Sequence, residues 1–272
     1  MHPPRVCASA LPSPAARGGF SPGLLTVTTL FIADLHLSPA TPALNQAFQS
    51  FLQAHAGQVD ALYILGDLFE FWLGDDDRRP FSRQCCAWLA EFARHTPVFL
   101  LRGNRDFLLG SRFARDSGVT LLADPHPLTL YGQPYLLSHG DGLCTDDLAY
   151  QRFRARVHQR WLQRLFLALP LGWRARLVGA VRQETGQAKV HKPAAIMDVN
   201  RQAVDALLDR AAPGSILIHG HTHRPAQHQW LHAGQVRQRW VVRDWHREGG
   251  GYLQVTPSGV QAGSWPVGAQ PD

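Results

Sequence analysis

Cysteine is scarce in this chain: four among 272 residues, at positions 7, 85, 86 and 144, with no CxxC pair. That spacing argues against a disulfide framework and against a structural zinc site built from thiolates. Adjacent Cys85 and Cys86 lie in a helical pattern where neighbours point apart, which suits reduced, buried thiols of a cytosolic protein. Long apolar runs are missing as well. The longest, residues 165–173, is nine residues between Arg164 and Arg174, whereas a bilayer span requires about 20. The first 24 residues carry five prolines and no run of signal-peptide length, so they read as a disordered extension or an over-long start and not as an export signal. The third absence is acid. Residues 148–183 hold eight arginines (152, 154, 156, 160, 164, 174, 176 and 182) and no Asp or Glu, so this segment carries +8 while the whole chain carries only +6. A solvated helix face interleaves both signs, and a purely cationic segment points to an anionic partner: a membrane surface, a phosphorylated ligand or nucleic acid.

What is present is 45% hydrophobic residues, enough for one sizeable core, and the reading is one soluble domain with an insertion. Apolar, β-branched runs alternate with helical patterns: strand 25–32, helix 43–56, strand 61–65, helix 81–94, strand 98–101. This alternation predicts βαβ units in a layered sheet flanked by helices. Strands 128–131 and 135–138, joined through Gly132-Gln133-Pro134, read as a hairpin extending that sheet. Helical patterning holds over 147–183, broken at Pro170, and resumes over 194–211. Strands return at 215–218, 227–231, 236–243 and 252–255, and from Pro257 onward the Gly, Pro and Ala content predicts a loose tail.

The strands finish alike. FIADLH ends with Asp34 and His36, YILGD with Asp67, FLLRGNRD with Asn104, Arg105 and Asp106, YLLSHGD with His139 and Asp141, and ILIHGHTHR with His219, His221, His223 and Arg224. Ligands of open α/β sheets bind beyond the carboxyl ends of the strands. Residues two apart on extended chain point the same way, so D-x-H and H-x-H can each grip one ion or two neighbouring ones. Imidazole, carboxylate and amide oxygen suit Mn²⁺, Fe²⁺ or Zn²⁺. The plainer alternative is that each residue merely caps the turn where its strand stops; five such endings together favour metal ligation.

In this order and spacing, D-x-H, GD, GN, SHGD and GHTH resemble the signature of calcineurin-like metallophosphoesterases, over residues 25 to about 256. FIADLHL, GDLFEFWLGDD, RGNRDFLLG, LSHGDGLCTDD, IMDVN at 196–200 and HGHTHRP are similar to the UDP-2,3-diacylglucosamine pyrophosphatase branch, the hydrolases of lipid A biosynthesis. The resemblance implies an α/β fold, a layered β-sandwich flanked by helices, with a helical insertion at about 147–192. It implies Asp34, His36, Asp67 and His223 as ligands of one metal ion and Asp67, Asn104, His139 and His221 as ligands of the second, Asp67 bridging, with Mn²⁺ favoured. His219 has no ligand role in that pattern. A bridging carboxylate also has a physical reason: two dications about 4 Å apart repel by roughly 16 kcal/mol at an effective dielectric of 20.

The implied reaction splits UDP-2,3-diacylglucosamine into 2,3-diacylglucosamine 1-phosphate and UMP, with water as nucleophile and Asn104, Arg105 and His139 at the reacting centre. Many superfamily members place His after this Asn; Arg105 stays protonated and can only stabilise charge. Its alternative is a surface pairing with Asp106. Asp106 and Asp141 either orient histidines or are ordinary turn residues, and Asp75 to Asp77 read as an acidic surface loop. Substrate contacts implied are Asp147, Thr185, Lys189 and Lys192, besides Asn104, Arg105 and His221. In the cationic segment Trp161, Leu162, Leu165, Phe166 and Leu169 form a stripe at helical spacing beside Arg160 and Arg164. Core packing is the common use of such a stripe. Next to a diphosphate site it suits acyl chains, and the arginines a membrane surface, which places the protein peripherally on the cytoplasmic face of the inner membrane. Nucleic acid is not expected as partner. The rival readings are another phosphoesterase of this superfamily acting on nucleotides or nucleic acid, and a non-catalytic membrane-docking adaptor.

Overall fold

The computed structural model describes residues 27–190 and 198–267, with backbone alone at 182–190; expectations for residues 1–24 and for Lys192 lie outside it. In chain order come β1 (Thr29–Ile32), α1 (Pro42–His55), β2 (Ala61–Leu65), α2 (Pro80–Ala93), β3 (Val98–Leu101), α3 (Ser111–Ser117) and β4 (Thr120–Leu122). Then follow β5 (His126–Leu130), β6 (Gln133–Ser138), α4 (Leu148–Val157), α5 (Arg160–Ala168) and α6 (Leu171–Val190). The chain closes with α7 (Arg201–Leu208), β7 (Ile216–His219), β8 (Ala226–His232), β9 (Gln235–Val241), β10 (Gly250–Thr256) and β11 (Gly259–Trp265).

Two sheets result, ordered β11-β10-β1-β2-β3-β4 and β5-β6-β7-β9-β8. Within them β1 to β4 run parallel, as do β6, β7 and β9. Strands β1 and β2 are buried at every position, as parallel strands covered on both faces must be. Their residues alternate between two cores. Leu30, Ile32, Leu62 and Ile64 meet Phe48, Phe51 and Leu89 of α1 and α2, while Phe31, Tyr63 and Leu65 meet Leu137 and Ile218 of the other sheet. A third cluster packs Leu136 and Leu217 on Val204 and Leu208 of α7. The layers are therefore helix, sheet, sheet, helix, the sandwich flanked by helices that was expected. Helix α1 buries Leu44, Ala47, Phe48, Phe51 and Leu52, the i, i+3, i+4, i+7, i+8 stripe of an amphipathic helix.

Four expectations are corrected. The β5–β6 hairpin begins the second sheet and does not extend the first. Its turn is Tyr131-Gly132, both at positive φ, the two-residue geometry that suits strand twist; Gln133 and Pro134 belong to β6. The helical segment breaks at His158-Gln159 as well as at Pro170. The tail from Pro257 is not loose over its described part, because β11 pairs with β10 along its whole length. Trp265 anchors it edge-on against Phe51, an aromatic contact that composition alone does not reveal.

Candidate metal centre

The loops after β1, β2, β3, β6 and β7 meet at one end of the sandwich, and their backbones are unusual. Asp34 (φ 54°), His36 (50°), Asp67 (51°), His221 (69°) and His223 (52°) all adopt left-handed conformations. Among the described residues the only other non-glycine cases are Tyr131 and Ala233, both in hairpin turns. Each such residue costs of order 1–3 kcal/mol and persists only where its surroundings over-determine it. Here the bracing is visible. Asp34 N donates to Gly66 O at 3.1 Å, His36 N to Asp67 O at 3.0 Å and Gly220 N to His139 O at 3.0 Å. Gly66 stands at φ 91°, and a Cβ there would lie 2.5 Å from His139 Nδ1; one on Gly103 would strike the Asp67 carboxylate. The glycines of GD and GN are thus spaces that a neighbouring strand's ligand fills.

Two trios of donors result: Asp34, His36 and His223, and Asp67, His139 and His221, the atoms of each within 4.8 Å of one another. His36 Nε2 lies 3.4 Å from His223 Nε2, and His223 Nε2 lies 3.5 Å from Asp34 Oδ1. In the other trio His139 Nε2 is 3.1 Å from Asn104 Oδ1 and 3.7 Å from Asp67 Oδ2. Both carboxylates are buried. Each spends one oxygen on the backbone of an adjoining loop: Asp34 Oδ2 accepts from His221 N and Asp67 Oδ1 from Arg105 N, both at 2.7 Å. The other oxygen faces its trio, and Asp34 Oδ1 is fully buried with no hydrogen-bond partner. Seven expected ligands are therefore together, with an orphaned anionic oxygen among them.

Protonation follows from that crowding. Burial alone would depress His139, but Asp67, Asp141 and Asp34 around it hold its pKa up at about 9. His223 is raised to about 10, its burial outweighed by the nearby carboxylates of Asp244 and Asp34. Burial and neighbouring cations lower His36 to about 4 despite Asp34. Burial also raises Asp67, with Asp106 and Asp34 adding repulsion against the pull of His139. The tautomer of His139 is fixed by Nδ1–H, which donates to Leu65 O at 2.8 Å. Two acceptors, Nε2 and Asn104 Oδ1, would then face each other unless something positive sits between them. A proton does so in the metal-free protein, and the same edge suits a cation.

Several supporting residues were not foreseen. Asp244, after β9, backs His223 with Oδ2 3.3 Å from Nδ1, and Glu70 stands 3.5 Å from His36 Nδ1 and 3.7 Å from Arg105 Nη1. Carboxylates behind imidazoles fix ring orientation and basicity. The only signal for Asp244 was its place after a strand; Glu70 sits inside the quoted GDLFEFWLGDD stretch. Arg105 also lies over the Phe71 ring at 5.3 Å and does not pair with Asp106. Asp106 accepts the backbone N–H groups of Gly103 at 2.7 Å and Leu68 at 2.8 Å, clamping the GN loop to the GD loop. Asp141 takes Tyr150 Oη–H and Arg154 Nε–H at 2.7 Å each; neither aspartate orients a histidine ring. His219 is buried, Nδ1 donating to Gly220 O at 2.9 Å and Nε2 accepting from Arg239 at 3.2 Å.

The acidic loop is more than surface charge. Asp75 accepts from Gly110, Arg112 and Phe113 N–H groups at the start of α3, Asp76 pairs with Arg174 and Asp77 with Arg79; none of the three joins the trios. Asp147 caps α4, accepting Tyr150 N–H at 3.0 Å, and Tyr150 stacks on His221 at 6.0 Å. Thr185 and Lys189 lie along α6. The α5 stripe is not core: no α5 residue is buried. Eight of the eleven exposed large hydrophobics among the described residues lie on α4 to α6, including Trp161 and Leu165, each 60% exposed. No described helix is long and apolar enough to cross a membrane.

A family model described as calcineurin-like phosphoesterase matches residues 27–225. A Klebsiella pneumoniae subsp. pneumoniae protein named UDP-2,3-diacylglucosamine hydrolase is 50% identical over 236 residues, 86% of this chain and 98% of the relative. A protein of that name from Escherichia coli O81 matches with the same identity and coverage. The Salmonella arizonae counterpart is 49% identical over 242 residues, 89% of this chain and 100% of its own.

Proposed function

The chain belongs to the calcineurin-like phosphoesterase family, and from that premise we propose that it is a metal-dependent hydrolase of UDP-2,3-diacylglucosamine, giving 2,3-diacylglucosamine 1-phosphate and UMP. The substrate assignment is supported by half-identity to hydrolases of that name across almost their whole length. The chemistry is supported by one observation above the others: two donor trios side by side, with a buried carboxylate oxygen lacking any hydrogen bond.

Calcineurin-like phosphoesterases use a dinuclear metal site. The residues present fit one. Asp34, His36, Asp67 and His223 would hold the first ion and Asp67, Asn104, His139 and His221 the second; nitrogen and oxygen donors without thiolate suit Mn²⁺, the ion we propose. When bound, such a pair supplies charge stabilisation of the phosphoryl oxygens and an acidified water. Asp34 and Asp67 contribute two negative charges against four positive, leaving a pocket near +2, the complement of a pyrophosphate diester. Arg105, held by Glu70 and the Phe71 ring, is a permanent cation placed to take charge that develops on the phosphoryl oxygens. Arg105 cannot donate a proton at neutral pH, and a diphosphate leaving as phosphomonoester requires little protonation. The mechanism therefore needs no protein nucleophile and no general acid at this position.

The insertion supplies the rest of the reading. Asp147, Thr185, Lys189 and Lys192 would bind the head group, with Asn104, Arg105 and His221. Phe153, Trp161, Leu165, Trp173 and Leu177 are exposed apolar residues among arginines, a surface suited to acyl chains and to the anionic lipid face on which such a substrate resides. Peripheral attachment to the cytoplasmic side of the inner membrane is the localisation we propose from that surface. The test is incubation of purified protein with UDP-2,3-diacylglucosamine, detergent and Mn²⁺ in ¹⁸O water, followed by mass spectrometry. Manganese-dependent formation of both products, with label in UMP, is expected. Survival of the lipid while a simple nucleotide is consumed contradicts the substrate assignment.

A further inference from the structure

The insertion meets the metal-bearing body at three described places. Near the start of α4, Tyr150 and Arg154 both donate to buried Asp141. At its end, His158 stacks on Phe107 at 5.4 Å, in the same loop as Asn104 and Arg105. The third place is Arg174, in the first turn of α6, and it differs in kind. Arg174 is 1% exposed and heads the fully buried side chains by volume, whereas every other described side chain of α6 is at least partly exposed.

All three nitrogens of its guanidinium are engaged. Nε donates to Leu169 O at 2.9 Å, Nη1 to Leu73 O at 2.6 Å and to Asp76 Oδ1 at 2.7 Å, and Nη2 to Asp76 Oδ2. Gly74, at φ 133°, makes the socket: a Cβ there would lie 2.5 Å from Arg174 Nη1 and 2.7 Å from Leu167 Cδ2. A planar fork bound bidentately by a carboxylate and also by two carbonyls has one orientation available. Withdrawing it would take the Nη1 donor from the carbonyl of buried Leu73 and break the bidentate pair, so the contact resists opening.

We propose that Arg174 is a positioning residue: clasped by Asp76 and the Leu73 carbonyl, it holds the α4–α6 insertion as a preformed wall of the substrate site and not as a hinged lid. The inference rests on the reading of that insertion as the part that binds the lipid substrate. Leverage makes the clasp matter. Helix α6 runs for 20 residues, and Thr185 and Lys189 lie about 16 and 22 Å beyond Arg174 at roughly 1.5 Å per residue. A swing of about 10° at the clasp therefore displaces the Lys189 backbone by roughly 4 Å, more than a hydrogen bond tolerates.

Asp76 is the residue to change, since its side chain is 56% exposed and its loss empties no core. Asp76→Ala is compared with Asp76→Glu, which keeps the carboxylate, and with Arg174→Met. Three readouts are taken: kinetics on UDP-2,3-diacylglucosamine, kinetics on bis(4-nitrophenyl) phosphate with the same Mn²⁺, and amide hydrogen exchange across α4 to α6. The clasp predicts for Asp76→Ala a KM for the lipid raised about tenfold or more, activity on the small diester within about twofold of wild type, faster exchange in α6, and recovery of most of the loss in Asp76→Glu. Unchanged lipid KM, or equal loss on both substrates with Asp76→Ala folded, overturns it. If wild-type protein cleaves the small diester but not the lipid, the substrate reading fails on its own. The clasp is then judged by exchange, and α6 exchange unaltered in both Asp76→Ala and Arg174→Met overturns it.

Discussion

The metal-bearing end of the sandwich and the helical insertion are built on opposite principles. At the former, Asp34, Asp67 and His139 are buried, His36, Asn104 and His221 half-buried and His223 exposed, five of the seven backbones are left-handed, and loops from both sheets are cross-braced by hydrogen bonds. The insertion buries almost nothing: α4 and α5 contribute no buried residue, and its large apolar side chains face outward. Rigid, strained geometry is what holding like-charged ions in register demands, and an open apolar surface is what receiving acyl chains demands. The two are joined through Asp141, through Phe107 and, by the one buried side chain among the described ones of α6, through Arg174 clasped by Asp76. In the proposed function, chemistry and substrate recognition divide between these two regions.

The largest way to break the comparison is at its rigid side. Asp67→Ala should lower turnover at least about a thousandfold on lipid and small diester alike, with circular dichroism showing the fold retained; comparable turnover would remove Asp67 from the centre. Asp244→Asn should weaken metal binding by about 10- to 100-fold, read by titration against a fluorescent chelator, because His223 loses the carboxylate behind it. Proton linkage sharpens the same side. His139 and His223, with pKa values of about 9 and 10, are protonated at pH 8 in the metal-free protein and must lose those protons to ligate. Loading at pH 8 should therefore release roughly two protons per chain, measured by calorimetry in buffers of different ionisation enthalpy. Affinity should rise with pH until those values are passed, about tenfold per unit for each ion. On the open side the effect is smaller: Trp161→Ser with Leu165→Ser should raise the lipid KM by about five- to tenfold and leave the small diester untouched.

Much of the rigid region was legible because strand ends repeat one local pattern, and D-x-H, GD, GN and H-x-H are short enough to survive without context. Strands β2 and β3 were bounded from composition since buried parallel strands are unbroken apolar runs. Asp244 and Glu70 were not legible, because what they do depends on which histidine folds against them. Helix α3 escaped for a similar reason: it is seven residues long and its N-terminal amides are satisfied by Asp75, far back in the chain. Strand β11 looked like a tail because glycine and alanine carry no periodicity, yet Gly263 leaves room for the Tyr252 ring. In the insertion, the apolar stripe was visible, but only the structure shows that Trp161 and Leu165 are exposed while Leu162, Phe166 and Leu169 are half-buried.

Metal stoichiometry measured by native mass spectrometry, on wild type and Asp67→Ala reconstituted with Mn²⁺, bears most directly on the account. Two ions per wild-type chain, with neither at full occupancy once Asp67 is gone, is the expected outcome. A wild-type chain that is folded and takes up one ion or none, or an Asp67→Ala chain that still holds two, contradicts a shared dinuclear centre.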